Sequence, residues 1–115
     1  MRLIAGRCRN CGKVAFPRKS VCDRCAGVAE PDPTPLSLTG VLYSFSEVHV
    51  APPGFPVPYA IGYVDFPEDV RVLAQIQGMA AELSVGDRMD VTVGVIRELP
   101  DEAICSYRFR KRAAI

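Results

Sequence analysis

Four cysteines fall as two CxxC pairs, Cys8-Arg9-Asn10-Cys11 and Cys22-Asp23-Arg24-Cys25, with ten residues between them. Each pair turns tightly enough to offer two sulfurs to one point, so the four thiolates can close a tetrahedron around a single Zn²⁺. Gly12, directly after the second cysteine, tolerates a positive φ and lets backbone N–H groups curl toward the sulfurs. Iron is also held by four thiolates, so the spacing leaves zinc and iron open. Two disulfides are a weaker reading, because no signal peptide precedes the cysteines and a reducing cytoplasm is expected. A redox CxxC would need one pair on a βα unit, and no such unit is visible. A closed four-thiolate site has no open position for water or substrate. Its expected role is therefore to fold a segment too small to bury a core.

The remaining chemistry-bearing residues are few. His49 is the only histidine, and no nucleophile motif surrounds any serine. Cys105 lies in Ala103-Ile104-Cys105-Ser106-Tyr107, where alternation with Ala103, Tyr107 and Phe109 predicts a buried, small apolar residue. Independent catalysis is not expected from this inventory.

The 115 residues suffice for one domain, or for a small domain with a metal-stapled appendage. No apolar run reaches the length needed to cross a bilayer. Charge is distributed unevenly around a net +1. Residues 1–30 hold seven Lys or Arg against two acids, residues 31–104 three against eleven, and residues 105–115 four against none. Two basic ends thus flank an acidic body. Part of the N-terminal excess has a local explanation, since four thiolates leave a net negative zinc complex that Arg7, Arg9, Lys13 and Arg24 can offset. Phosphate contact is the competing explanation for the same residues.

The elements that must position these groups are mostly strands. Val14–Arg18 is expected to cross between the knuckles in extended form, with Pro17 at an edge or turn. Glu30–Pro35 has proline at every second position and predicts an extended, semi-rigid spacer. Beyond it, branched and aromatic residues predict strands over Leu36–Val50, Tyr59–Phe66, Val70–Gln77, Met89–Leu99 and Ala103–Phe109. Ala80–Leu83 is expected to make one helical turn. The loop 51–58 carries four prolines and cannot be a central strand. Five strands with a tight Val85-Gly86-Asp87 turn before the fourth predict an OB-fold, a small Greek-key barrel. The expected class is mostly β, with a rubredoxin-like zinc ribbon at 1–30, a Pro-rich linker at 31–37 and a five-stranded barrel with a basic tail at 38–115.

The sequence resembles the small acyl-CoA-associated proteins that join a zinc ribbon to an OB-fold and act beside thiolase-like enzymes. The residues that carry the resemblance are Cys8-Arg9-Asn10-Cys11-Gly12, Phe16-Pro17-Arg18, Cys22-Asp23-Arg24-Cys25, Gly40-Val41-Leu42-Tyr43-Ser44-Phe45 and Pro58-Tyr59. Arg71-Val72-Leu73, Val85-Gly86-Asp87 and Tyr107-Arg108-Phe109-Arg110 extend it over nearly the whole chain. The resemblance implies a non-catalytic accessory subunit that binds a thiolase, synthase, acyltransferase or aldolase as a hetero-oligomer and supports acyl-CoA handling. It implies structural zinc on Cys8, Cys11, Cys22 and Cys25, and a CoA thioester at or near the partner interface. Many such proteins carry a helical segment before the ribbon. Seven residues precede Cys8 here, so any partner or CoA contact made by that helix is expected to be absent or supplied by another chain.

Under this reading Arg108, Arg110, Lys111 and Arg112 are the candidates for CoA phosphates, against the alternative of a frayed, solvated tail. Phe16, Phe55 and Tyr59 are candidates for the partner face, whereas Tyr43 and Phe45 are expected in the barrel core. A single-stranded nucleic-acid-binding protein is the alternative function. It would need a positive groove interleaved with stacking aromatics, and the acidic body repels a polyphosphate strand. The expected partners exclude nucleic acid and membrane.

Overall fold

The computed structural model describes residues 2–19, 21–22, 25, 27 and 30–112. Among them the N-terminal strands β1 (Ile4–Arg7), β2 (Val14–Ala15) and β3 (Asp32–Pro35) form an antiparallel sheet in the order β2-β1-β3. β3 lies within the segment expected to be an extended, semi-rigid spacer. It is extended as anticipated, but it pairs with β1 from Ile4↔Pro35 to Arg7↔Asp32. Prolines cannot donate to a ladder, yet at every second position of an edge strand their missing N–H groups all fall on one side. Asp32 and Thr34 keep theirs for the other.

The C-terminal strands close a barrel in the order β4-β5-β6-β8-β7: β4 (Thr39–Val48), β5 (Tyr59–Phe66), β6 (Val70–Gln77), β7 (Arg88–Leu99) and β8 (Glu102–Lys111). A 3₁₀ turn, Ala80–Glu82, precedes β7. β6 and β8 pair in parallel at Ile76↔Phe109 and Gln77↔Arg110, and every other barrel pairing is antiparallel. This is the OB topology expected from the strand pattern. β6 shows why it was legible: Val70, Val72, Ala74 and Ile76 are buried, and the residues between them face outward.

β4 departs from simple alternation. Its pairing with β5 runs Leu42↔Val64 and then Ser44↔Tyr63, so a bulge at Tyr43 changes which face each later residue occupies. Tyr43, expected in the core, is 51% exposed, while Phe45 packs partly buried against the core as expected.

One hydrophobic cluster serves both sheets. Leu3, Ala5, Val14 and Leu36 from the N-terminal region join Leu42, Val64, Phe66, Ile76, Met89 and Phe109 from the barrel. Phe66 and Phe109 lie with ring centroids 6.1 Å apart, and Phe16 meets Tyr107 edge-on at 5.4 Å. Between the sheets, Ser37 donates to Glu68 from its backbone N–H (3.0 Å) and from its hydroxyl (2.8 Å). Burial raises the Glu68 carboxyl, but these donors outweigh it and hold its pKa below the ordinary value.

β7 and β8 continue together beyond their contacts with the rest of the barrel. β4 pairs with β7 only at Arg88–Asp90, and β6 with β8 only at Phe109–Arg110, whereas β7 and β8 pair from Met89↔Lys111 to Leu99↔Glu102. Among the described residues no third strand pairs with the outer part of this hairpin. Cys105, expected to be buried, is therefore exposed, as are Ala103 and Ile104. The loop 49–58 packs along the same hairpin. Glu98 N–H donates to Gly54 O (2.7 Å) and Arg97 Nε to Pro53 O (3.0 Å). A Cβ on Gly54, which has φ 95°, would collide with the Glu98 carbonyl oxygen.

Candidate metal centre and partner-facing surfaces

Cys8, Cys11, Cys22 and Cys25 converge so that their sulfurs all lie within 4.8 Å of one another. Cys8 Sγ and Cys25 Sγ are 3.7 Å apart, and Cys11 Sγ and Cys22 Sγ 3.5 Å. A tetrahedral zinc site with Zn–S bonds of about 2.3 Å has sulfur–sulfur edges of about 3.8 Å. Disulfide sulfurs sit about 2.05 Å apart, and all five cysteines are free thiols. The donor set therefore fits one metal ion rather than two cross-links.

Local backbone chemistry builds the two knuckles alike. Cys8 N–H donates to Lys13 O (2.8 Å), and Cys22 N–H to Gly27 O (3.1 Å), the same five-residue span. Gly12 adopts φ 80° as its position demanded, and its N–H bonds Cys8 O at 2.9 Å. N–H groups of Cys11 and Asn10 lower the Cys8 pKa, favouring its thiolate. The Gly27 N–H acts the same way on Cys25, but desolvation and the other three thiols outweigh it and push Cys25 up to about 11. Four thiolates cannot share this point without a cation between them. When bound, zinc supplies that cation and cross-links the two knuckles.

The charged residues around the centre divide their roles. Arg9 donates from Nε to Asp32 Oδ1 (2.9 Å), tying the first knuckle to β3. Arg18 lies 4.0 Å from Glu30. Arg24 lies outside the described residues.

The C-terminal cations are ordered through Arg112, not frayed. Lys111 Nζ bonds Glu82 O (3.1 Å) and lies 3.4 Å from Asp87. Arg112 donates from its backbone to Arg88 O (2.8 Å) and from its side chain to Thr39 Oγ1 (3.1 Å), with Asp90 at 3.9 Å. Among the described residues, Arg108 and Arg110 form no ion pair. Arg108 and Arg110 share a strand face, whereas Lys111 falls on the other. Residues 113–115 of the tail lie outside the described set.

The aromatic candidates occupy two places. Phe16, on the ribbon, is half-buried against Tyr107. Phe55 and Tyr59 stack on each other at the Pro-rich loop with centroids 6.0 Å apart, and the Arg97 guanidinium sits 5.1 Å from the Phe55 ring. Sequence reasoning missed an exposed cluster on the outer face of β4–β6. There Arg71 donates to Asp65 from Nε (2.6 Å) and Nη2 (3.1 Å) and lies 3.5 Å over the Tyr43 ring, flanked by exposed Tyr63 and Leu73. The signal was the cross-strand register, which alternation alone does not supply. His49 is exposed, with Nε2 2.8 Å from Glu47 Oε1. Among the described residues no helix is long and apolar enough to cross a membrane.

Residues 2–32 match the family model described as the ChsH2 rubredoxin-like zinc ribbon domain, and residues 33–94 match the ChsH2 C-terminal OB-fold domain. The chain is 41% identical over 106 residues to the benzoylsuccinyl-CoA thiolase subunit BbsA of Thauera aromatica, covering 91% of this chain and 73% of that one. It is 33% identical over 111 residues to a DUF35 domain-containing scaffold protein of Methanocaldococcus jannaschii, covering 94% and 79%. Among solved structures it resembles a chain of the Ltp2-ChsH2(DUF35) aldolase, with a TM-score of 0.75 and 25% identity over 96% of this chain and 84% of that one.

Proposed function

Because this chain belongs to the ChsH2 family of zinc-ribbon and OB-fold proteins, we propose that it is the non-catalytic subunit of a thiolase-like enzyme. In this reading it binds a thiolase-fold partner as a hetero-oligomer and supports the handling of an acyl-CoA at or near their interface. The observation that carries it is the match to a thiolase subunit over 91% of this chain and 73% of that one, together with the likeness to a chain of the Ltp2-ChsH2(DUF35) aldolase. The zinc ribbon is the structural module, the segment 31–37 joins it to the barrel, and cytoplasmic residence suits four free thiols.

The distribution of reactive groups supports a non-catalytic role. The four clustered thiols saturate a tetrahedral metal and leave no position for substrate. The single imidazole of His49 faces solvent beside Glu47. Exposed Cys105 has no second histidine to serve a thiolase-type nucleophile, because the chain contains only one. Acyl-CoA contact on this chain draws on Arg108 and Arg110, since Lys111 and Arg112 are engaged internally. Single-stranded nucleic acid fits less well. Arg71 already covers one face of the Tyr43 ring, where a base would stack.

The test is reconstitution. The zinc-loaded chain, inactive alone, is mixed with a thiolase-fold partner from the same host, and acyl-CoA thiolysis is followed. Activity that requires both chains supports the proposal. A partner fully active without this chain, and unable to bind it, opposes the proposal.

A further inference from the structure

A cavity of about 530 Å³ opens between the loop 49–58 and the β7–β8 hairpin, lined by Gly54, Phe55, Pro56, Arg97, Glu98 and Arg108, with Val95 at its wall. These two connections, between the first and second and between the fourth and fifth barrel strands, are where OB-folds commonly hold ligands. The cavity is of small-molecule size. Its two walls are fixed to each other, because Glu98 N–H and Arg97 Nε both bond the loop backbone.

Arg108 is the unusual residue within it. Among the described residues, Arg108 Nε is the buried side-chain nitrogen with no hydrogen-bond partner, and no carboxylate pairs with its guanidinium. The side chain lies across Gly94: a Cβ there would come within 2.5 Å of Arg108 Nη1 and 3.0 Å of Cδ. Gly94 thus leaves a shallow bed for a guanidinium that nothing on the chain neutralises. Burying a guanidinium nitrogen without an acceptor is unfavourable unless a ligand supplies one.

More cations lead to this point. On paired antiparallel strands opposed residues share a face. Thr92↔Arg108 and Asp90↔Arg110 therefore set Arg108 and Arg110 in a row, and Arg112 N–H on Arg88 O carries the row to Arg88. The buried neighbours Met89 and Phe109 mark the opposite, inner face. Asp90 pairs with Arg112 at the far end, and Glu98 is the one acid at the cavity. Arg88, Arg108 and Arg110 are thus the cations of this row that form no ion pair among the described residues.

We propose that this cavity is a binding site for a small phosphate-bearing anion, with Arg108 as its principal donor and Arg97 as a second charge beside the Phe55 ring. A planar guanidinium presents two parallel N–H donors, which match a phosphate. The site rests on and extends the acyl-CoA contact proposed above at Arg108, but it is built from this chain's residues and can be tested without the partner.

The test is calorimetric titration of the full zinc-loaded chain with inorganic pyrophosphate and, separately, with adenosine diphosphate. Saturable binding that weakens with salt is expected for both. Arg108→Gln should weaken it by about tenfold or more. Gly94→Ala, which displaces the guanidinium but keeps its charge, should also weaken it, and covers the case in which Arg108→Gln misfolds. Arg71→Gln, on the β4–β6 face, should leave it unchanged. Tighter binding of adenosine diphosphate would assign part of the affinity to the ring beside Phe55, and equal binding would assign it to phosphate alone; both results support the site. Absence of saturable binding, or binding unchanged by Arg108→Gln and Gly94→Ala together, overturns it. So does oligo-dT binding that is tighter than either probe and insensitive to both substitutions.

Discussion

The ribbon and the barrel hold their strands by different means. In the ribbon, β1 and β3 have four residues each and β2 only Val14 and Ala15. Such a sheet is too small to persist alone, and the four thiols 3.5 to 4.8 Å apart mark where a metal completes it. The barrel strands run 8 to 12 residues and close on themselves, so no barrel strand depends on a metal. Yet the two are not independent beads. Leu3, Ala5, Val14 and Leu36 enter the same cluster as the barrel core. The ribbon is a metal-stapled unit moored on a self-supporting one, with Phe16 set against Tyr107 on the hairpin.

The largest break in this contrast comes from the metal. Chelation, or Cys11→Ser with Cys22→Ser, removes folding free energy on the order of 10 kcal/mol in comparable small zinc modules. Circular dichroism should retain the barrel's β signal, while proteolysis begins to cut within the first 35 residues. Loss of both signals together would mean that the barrel depends on the ribbon. A core truncation should do the reverse: Phe109→Ala, fully buried where β6 meets β8, is expected to lower unfolding stability by about 3–5 kcal/mol. Zinc retention in that variant would separate the two units. Leu36→Ala probes the mooring, with an expected loss of about 2–5 kcal/mol spread over both transitions in denaturant.

The smallest effect lies at the Ser37–Glu68 contact. The folded Glu68 pKa is below its unfolded value, so its contribution is present above the ordinary carboxylate range and is lost as pH falls through the depressed value. Glu68→Gln should weaken stability by about 1 kcal/mol near neutrality after solvent screening, and the difference from wild type should vanish in acid. Unfolding midpoints across pH measure this directly. A constant difference at all pH values would remove the electrostatic explanation.

What could be read from sequence followed from which forces are local. The metal centre was legible because four cysteines at fixed spacing leave few other arrangements. Tyr59–Phe66 and Val70–Gln77 were legible to the residue because both strands lie within the barrel sheet and alternate cleanly. The misplaced residues share a cause in long-range pairing. Tyr43 faces out in step with Val41, while the bulge that follows Leu42 reverses the parity and turns Phe45 toward the core, so the two do not share a face. Cys105 faces out because the hairpin outruns the strands that would cover it. The prolines of β3 concealed an edge strand, and the basic tail proved to be the ordered end of β8. The anion cavity was partly visible, since Arg108 stood out as a cation. Its relation to Arg97, Phe55 and Gly94 required the hairpin and the loop to be brought together.

The central claim is that this chain serves a thiolase-fold partner. Its most direct test is affinity purification of the zinc-loaded chain from its native host, followed by mass spectrometry and stoichiometry on a sizing column. The account predicts a thiolase-fold polypeptide in fixed ratio, released by substitutions at the partner-face candidates Phe16, Phe55 or Tyr59. Recovery of ribosomal proteins, or of the chain alone under conditions that preserve its zinc, would contradict it.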